Sequence, residues 1–264
     1  MGIYIQSCTW DEVPHLSEEV KKDLWESTPP YLRNARAKGI PVLGSGLIYP
    51  IAEEEIKVSA TLIRITKDWP RGFAMDVSFN KTAVSWFARD PASKVIYLHD
   101  CHYQGREEPA IHAEAIKARG AWIPGVIDPR ADNRSAEDSK KLFQMYTQQY
   151  GLDLVRAEAA VTTGISEVWQ MLQGGMLKVS DAACMAPFWK EIRIYRTKTD
   201  KDGNISVVKQ DDHLMDNLRY FVMSGIRRMR TEAEGSEPQS SLIELLLGAS
   251  RGRGRSGSLG WMSG

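Results

Sequence analysis

Alternating apolar and polar positions predict a group of strands that begins near residue 71. Three apolar segments follow one another at 72–79, 82–90 and 94–103, reading GFAMDVSF, TAVSWFARD and KVIYLHDCHY. They are rich in aromatic and β-branched residues and are separated by the turn-prone pairs Asn80-Lys81 and Asp90-Pro91. Because these connections are short, the pattern predicts three neighbouring antiparallel strands.

Helices and strands are predicted to alternate beyond this group. Pro109 begins a helix that ends near Gly120, because proline suits the first helical turn and glycine the C-terminal end. The elements that follow are a short buried strand at 122–128, a helix at 135–151, a strand at 152–158, a helix at 163–173, a β-hairpin of 192–198 with 205–210 around Asp202-Gly203-Asn204, and a last helix at 213–226. One face of the last helix carries Leu214, Leu218, Phe221, Val222 and Gly225.

This order of elements is similar to that of ribonuclease H-like folds. We therefore expect the α/β class, with a mixed sheet of three antiparallel strands followed by parallel strands, flanked by helices. Residues 59–229 are predicted to form this domain. Residues 1–58 are predicted to be a lead-in, with a helix that starts after Ser17 and closes at Pro29-Pro30, and the Gly, Ser and Arg-rich residues 230–264 a flexible tail.

Composition narrows the possible settings of the protein. With 264 residues and 42% hydrophobic residues, the chain can bury one substantial core. Cys8, Cys101 and Cys184 form no CxxC pair, which argues against a disulfide framework or a zinc site and favours a reducing cytoplasm. No apolar run approaches the roughly 20 residues that cross a bilayer, so we expect no membrane association. The formal net charge of zero is unusual for a freestanding DNA-binding protein.

Three aspartates stand out as candidate chemistry, because each occupies a place where a lone charge is costly. Asp76 lies inside an apolar strand, Asp128 ends another, and Asp216 lies on the last helix with His213 three residues before it. Converging carboxylates could hold two Mg²⁺ or Mn²⁺ ions about 3.5 to 4 Å apart, as in two-metal hydrolysis of phosphodiesters. The three aspartates therefore predict a metal-dependent nuclease.

Structural interpretations of these acids remain open. Asp76 could pair with Lys81 or Arg71, and Asp128 could simply start a turn with the proline that follows it. Asp216 could be a surface acid bonded to Arg219.

The region around the last helix has alternatives of its own. Asp211 and Asp212 favour helix capping over metal binding, because they immediately precede the helix. His213 could be a metal ligand, a general base or a packed core residue, whereas structural roles are expected for His99, His102 and His112.

Several longer motifs resemble the C-terminal part of tailed-phage large terminases, over about Thr9–Ser224. They are TWDEVPHLSEE, PPYLRNARAKGIPVLGSGLIYP, DVSFNKTAVSW, EPAIHAEAIKARGAWIPGVIDP, RSAEDSKKL and DHLMDNLRY. The resemblance implies a ribonuclease H-like endonuclease with metal ligands Asp76, Asp128 and Asp216 and with His213 beside them, cutting concatemeric double-stranded DNA. It also implies three partners, an ATPase motor, a small subunit and the portal, and a location in the bacterial host cytoplasm and transiently at the procapsid portal.

Two departures from the family pattern accompany this resemblance. Ser78 stands where members often have glycine, and the chain starts where the ATPase region should be finishing. No GxxxxGK[ST] motif is present, so ATP hydrolysis is not expected of this chain.

Basic residues near the acids are candidates for contacts with DNA phosphates. They are Lys81, Arg130 and Arg134, together with Arg196 and Lys198 on the predicted hairpin. Two other functions remain open. One is a resolvase or strand transferase of the same fold class, and the other is a noncatalytic module that docks on the portal through residues 242–248 (LIELLLG) or the basic tail.

Overall fold

A seven-stranded mixed sheet forms the centre of the protein. The computed structural model describes residues 8–28, 33, 36–38, 46–78, 80–132, 142–199 and 205–236. The strands are β1 (Lys57–Val58), β2 (Arg71–Val77), β3 (Thr82–Arg89), β4 (Ile96–Gln104), β5 (Gly125–Ile127), β6 (Leu154–Arg156), β7 (Leu177–Ser180), β8 (Thr197–Thr199) and β9 (Ile205–Val207). The large sheet has the order β1-β7-β4-β3-β2-β5-β6, and β8 pairs with β9 separately.

Strand directions confirm the expected fold class. Strands β2, β3 and β4 are antiparallel neighbours, whereas β5 and β6 extend the sheet in parallel beside β2. On the other side, β7 and β1 run parallel to β4. The predicted antiparallel group followed by parallel strands is therefore correct.

Helices cover both faces of the sheet. They are α1 (Glu18–Ser27), α2 (Glu53–Ile56), α3 (Pro109–Lys117), α4 (Val161–Gln173), α5 (Ala186–Ile194), α6 (His213–Tyr220) and α7 (Glu232–Ser236). Wider π-helical turns lie at Met145–Gln149 and, directly after α6, at Phe221–Gly225. None of the helices in the described ranges is long and apolar enough to span a bilayer.

Two hydrophobic cores lie on opposite faces of the sheet. Apolar residues of α4, α5 and α6 pack with one set of alternate strand positions, which includes Ala74 and Val126. Residues of α3 and of the π-helical turn at Met145–Gln149 pack with the other set, which includes Met75 and Ile127. Because strand side chains alternate between faces, this division decides which strand residues face α6.

Local signals set several helix boundaries as predicted. The Ser17 side chain accepts a hydrogen bond from the Val20 N–H, 3.3 Å away, and so caps the start of α1. Pro109 opens α3 in the first turn. The predicted helix at 135–151 lies partly outside the described residues, and its described part is helical from 142 to 149.

One predicted strand was wrong. Residues 192–194 end helix α5 and do not begin the hairpin, which starts at Thr197. Strands β1 and β7 were not predicted. Strand β1 pairs with β7, and Ile48 and Ile56 are fully buried, so part of the predicted lead-in packs on the sheet. The divisions at residues 58 and 230 stay predictions.

Candidate active site

Strands β2 and β5 bring Asp76 and Asp128 next to each other. Met75 pairs with Ile127, and the Asp128 N–H donates to the Met75 carbonyl oxygen at 3.1 Å. Each aspartate therefore follows a paired residue on adjacent parallel strands. Met75 and Ile127 face the core that α3 covers. Because side chains alternate along a strand, Asp76 and Asp128 point to the other face of the sheet, which α6 covers.

Helix α6 crosses this face and is fixed to it by a buried asparagine. The Asn217 side-chain amide donates to the Ala83 carbonyl oxygen at 2.9 Å, and Ala83 is the residue paired with Asp76 across β2 and β3. This contact positions the first turns of α6 over Asp76. Asp216, adjacent to Asn217 and only 5% exposed, consequently lies at the same site.

His213 and Asp76 form the shortest link between α6 and the sheet at this site. The His213 Nδ1 lies 2.6 Å from the Asp76 Oδ2. Burial, with added repulsion from Asp128 and Asp216, raises the pKa of the Asp76 carboxyl. Contact with Asp76 in turn raises the pKa of His213. The same contact offsets part of the rise in the pKa of Asp76.

Cationic side chains surround Asp216. The guanidinium of Arg219 lies 2.5 Å from Oδ1 and is completely buried, whereas Lys209 Nζ lies 3.1 Å from Oδ2. The Arg130 Nη2 is 3.6 Å from the same oxygen, and the Arg130 Nε is 3.5 Å from Asp128 Oδ1. The acids are thus partly neutralised by one fixed cation and two half-exposed ones.

The alternatives considered for Asp76, Asp128 and Asp216 have mixed outcomes. The ion-pair partner of Asp76 is His213, whereas Lys81 pairs with Asp211, 3.9 Å away. Asp128 does start a turn, because its Oδ1 accepts the Arg130 N–H at 2.9 Å, and it also faces the site. Asp216 does bond Arg219, but both residues are buried, so the interpretation of Asp216 as a surface acid was wrong.

The predicted capping of α6 by aspartates was also wrong. Asp212 occupies the N-cap position, but its side chain makes no capping bond and contacts Lys209 at 2.7 Å. Glu191 of α5 caps the helix instead: its Oε2 accepts the N–H groups of Leu214 at 2.7 Å and Met215 at 3.4 Å. Glu191 is 1% exposed, and burial raises its pKa to about 7.

Replacing Glu191 by glutamine should change how stability depends on pH. Because the pKa of Glu191 is raised from its ordinary value of 4.5 to about 7, the folded state binds a proton that the unfolded state has lost in this range. Stability therefore falls as pH rises from about 4.5 to about 7, and Glu191→Gln removes this loss. The difference in unfolding free energy should grow in favour of Glu191→Gln by about 3 kcal/mol across that window. Urea unfolding at a series of pH values measures it, and a constant difference would contradict the expectation.

The other predicted residues lie at varying distances from the acids. Lys81 follows β2 and sits over the Tyr103 ring at 4.5 Å, in a cleft of about 280 Å³ that Lys190 also lines. Arg196 is close to Lys209, because its carbonyl oxygen accepts the N–H of Val208 at 2.9 Å.

Lys198 lies on β8, and Arg134 lies outside the described residues. His102 Nε2 lies 2.9 Å from His112 Nδ1, and the partly buried His99 has its Nε2 shielded from solvent. The structural roles expected for His99, His102 and His112 stay predictions.

Three carboxylates are chemically suited to a hard divalent cation such as Mg²⁺ or Mn²⁺. Within the described part of the chain, no group of three or more His, Cys, Asp or Glu side chains is arranged to hold a metal ion. Arg130 and Lys209 contact the carboxylate oxygens, but their side chains are 48% and 47% exposed. The acids fit a divalent cation that takes the place of these two half-exposed cations beside Asp128 Oδ1 and Asp216 Oδ2, while the buried Arg219 keeps Asp216 Oδ1.

The mixed sheet with helix α6 laid across its acidic strand ends defines a ribonuclease H-like fold. The family model described as the terminase RNaseH-like domain matches residues 65–224, which is more than half of the chain. The chain belongs to this family.

Known relatives are phage terminase large subunits. The chain is 28% identical to the large subunit of Enterobacteria phage LP7 over 232 residues, covering 82% of this chain and 46% of the relative. It is 28% identical to that of Salmonella phage P22 over 234 residues, covering 83% and 44%. The chain thus spans less than half the length of these relatives. The solved nuclease domain of the P22 large terminase matches the fold with a TM-score of 0.63 and 24% identity, covering 74% of this chain and 99% of that domain.

Proposed function

We propose that this chain is a divalent-metal-dependent endonuclease that cuts concatemeric double-stranded DNA during phage packaging. Asp76, Asp128 and Asp216 are the proposed metal ligands, and His213 acts beside them. The observation that carries the proposal is the meeting of these acids, from two adjacent strand ends and one crossing helix, on one face of a ribonuclease H-like sheet. Burial, with a smaller contribution from the charges of Asp128 and Asp216, raises the pKa of Asp76, and a bound cation would offset both costs.

Each residue has a distinct part in the proposed reaction. Divalent cations, when bound, activate water and stabilise the leaving oxygen of the broken phosphodiester. Asp76, Asp128 and Asp216 supply the oxygen ligands, and the cleaved strands carry a 5′ phosphate and a 3′ hydroxyl. His213 holds a proton against Asp76 and orients that carboxylate. The buried Arg219 holds Asp216 in place through its Oδ1.

DNA would bind along the basic residues around the three aspartates. Lys81 and Arg130 flank the site, and Arg196 with Lys198 extends it along the hairpin. Arg134 is proposed as a further phosphate contact. Because the chain is neutral, we propose that an ATPase motor holds DNA near the site and that the nuclease needs little affinity of its own. The small subunit and the portal are the other proposed partners, in the host cytoplasm and at the procapsid.

Replacing Lys209 by glutamine should increase the affinity for Mn²⁺. The Lys209 ammonium competes for Asp216 Oδ2, 3.1 Å away, so its removal frees an oxygen and removes a nearby positive charge. We expect the dissociation constant to fall about fivefold, the scale of one half-exposed ion pair. Calorimetric titration with MnCl₂ measures it. Lys117→Gln, which removes a lysine paired with Glu114 on α3, is the matched control and should leave the affinity unchanged. Equal affinity in wild type and Lys209→Gln would count against Asp216 as a ligand.

Plasmid cleavage tests the proposed function directly. The purified chain should nick and linearise supercoiled DNA with Mn²⁺ or Mg²⁺, and excess chelator should stop it. Strong preference for branched over linear duplex DNA would favour the resolvase alternative. Absence of both cleavage and Mn²⁺ binding, with retained portal binding, would favour the docking alternative, whose segment at 242–248 lies outside the described residues.

A further inference from the structure

A buried carboxylate from a different helix holds the start of α6. Glu191 lies on α5, is 1% exposed, and accepts the N–H groups of Leu214 at 2.7 Å and Met215 at 3.4 Å. These are backbone donors of the first helical turn, which have no partner within the helix itself. The position of the α6 N-terminus is therefore set by α5.

A second contact ties the same carboxylate to the sheet. The Tyr103 hydroxyl at the end of β4 donates to Glu191 Oε1 at 2.6 Å. The Tyr103 ring also approaches the His213 ring edge-on, with centroids 6.4 Å apart. Glu191 and Tyr103 thus join β4, α5 and α6 in a junction, which we call the Glu191 clamp.

The clamp acts on the part of α6 that carries the candidate chemistry. His213 is the first residue of α6, and Asp216 follows one turn later, so a shift of the first turn moves both relative to Asp76. Asp212, at the N-cap position, is turned towards Lys209 and makes no capping bond. Without Glu191, two buried N–H groups would lose their acceptor, which favours fraying of that turn.

We infer that Glu191 and Tyr103 are positioning residues for the proposed nuclease reaction, fixing His213 and Asp216 against Asp76 without touching DNA or metal. The inference rests on the proposed function. A general loss of structure would change kcat and KM together. Loss of positioning should lower kcat and leave the KM for DNA constant, because Glu191 is 1% exposed and is not available to bind DNA.

Three variants with one control test the clamp. Glu191→Ala should lower kcat for plasmid cleavage about a hundredfold, the scale of small misplacements in an active site, with KM changed less than about twofold. Tyr103→Phe, which removes one oxygen, should lower kcat about tenfold. Glu191→Gln should keep most activity, because its oxygen can accept both N–H groups and its amide can donate to Tyr103. The control is Glu167→Ala, an exposed glutamate on α4, which should match wild type.

Hydrogen exchange gives a readout that does not depend on activity. The amides of Leu214 and Met215 should exchange faster in Glu191→Ala than in wild type and remain protected in Glu191→Gln. Wild-type kcat in Glu191→Ala, or equal loss in the alanine and glutamine variants, would overturn the inference. If Glu191→Ala does not fold, the kcat of Tyr103→Phe decides. A wild-type protein without cleavage activity would refute the proposed function and leave the clamp to be judged by exchange. Unchanged amide exchange of Leu214 and Met215 in Glu191→Ala would refute the clamp.

Discussion

Replacing Asp76 by asparagine is expected to lower the rate of plasmid cleavage in Mn²⁺ by about a thousandfold while leaving the protein folded. Loss of one group that stabilises developing charge has an effect of this size in other hydrolases. Asparagine has the shape of aspartate and keeps an oxygen for the contact with His213, whose Nδ1 lies 2.6 Å from Asp76 Oδ2 in the wild type. It removes the charge that would hold a cation. The measurement is single-turnover cleavage of supercoiled DNA.

The stability of Asp76→Asn should not fall with its activity. Burial and two neighbouring carboxylates disfavour the ionised form of Asp76, so a neutral side chain relieves both costs. We expect the unfolding free energy of Asp76→Asn, measured without metal, to equal or exceed that of wild type. Asp23→Asn, on the exposed surface of α1, is the control for the substitution itself. Full cleavage by Asp76→Asn would reject Asp76 as a ligand.

The fold was predictable where side-chain pattern and turn chemistry agree. Strands β2, β3 and β4 carry strong apolar runs with short polar connections, and their predicted positions were correct. Strand β7 has four residues and β1 has two, too few to show a period, and both exist because they extend a sheet already formed. Residues 192–194 alternate like a strand but belong to a helix, since tertiary packing decides between the two.

The prediction that three aspartates meet rested on where each lies, with Asp76 inside one apolar strand, Asp128 at the end of the next strand predicted beside it, and Asp216 on the last helix. The residues that hold them were harder to identify. Glu191 and Asn217 are polar residues within apolar helical stripes: Glu191 follows Phe188 by three positions, and Asn217 precedes Phe221 by four. That spacing indicates buried polar groups with specific partners. The partners themselves, two backbone N–H groups and a strand carbonyl, have no signal in the sequence.

Arg219 shows the limit of pairwise reasoning from sequence. Its spacing of three from Asp216 predicted an ion pair, and the pair is present. The prediction placed it on the surface, where such a pair contributes little to stability. In the structure the Arg219 side chain is completely buried, that of Asp216 is 6% exposed, and Arg219 lies against Gly164 of α4, where a Cβ would lie 3.3 Å from the Arg219 Cβ and 2.7 Å from Met223 Sδ. Removing one partner of this pair would therefore leave a buried charge without compensation, which is costly.

Replacing Asp216 by asparagine should consequently destabilise the fold, in contrast to Asp76→Asn. Asp216→Asn leaves the fully buried Arg219 guanidinium without its carboxylate, and arginine cannot lose its proton to escape the cost. Lys209 and Arg130 would also repel one another across the vacated charge. We expect a loss of about 3 to 5 kcal/mol in unfolding free energy at neutral pH, measured by urea unfolding without metal.

The double variant Asp216→Asn, Arg219→Met separates this charge effect from simple loss of packing. Methionine fills much of the arginine volume without a charge, so the double variant should recover most of the stability lost in Asp216→Asn. Arg219→Met alone should cost less than Asp216→Asn, because Asp216 still has Lys209 beside it. If Asp216→Asn proved as stable as wild type, the buried pair would be dispensable. Inactivity of Asp216→Asn could then be assigned to lost metal binding alone.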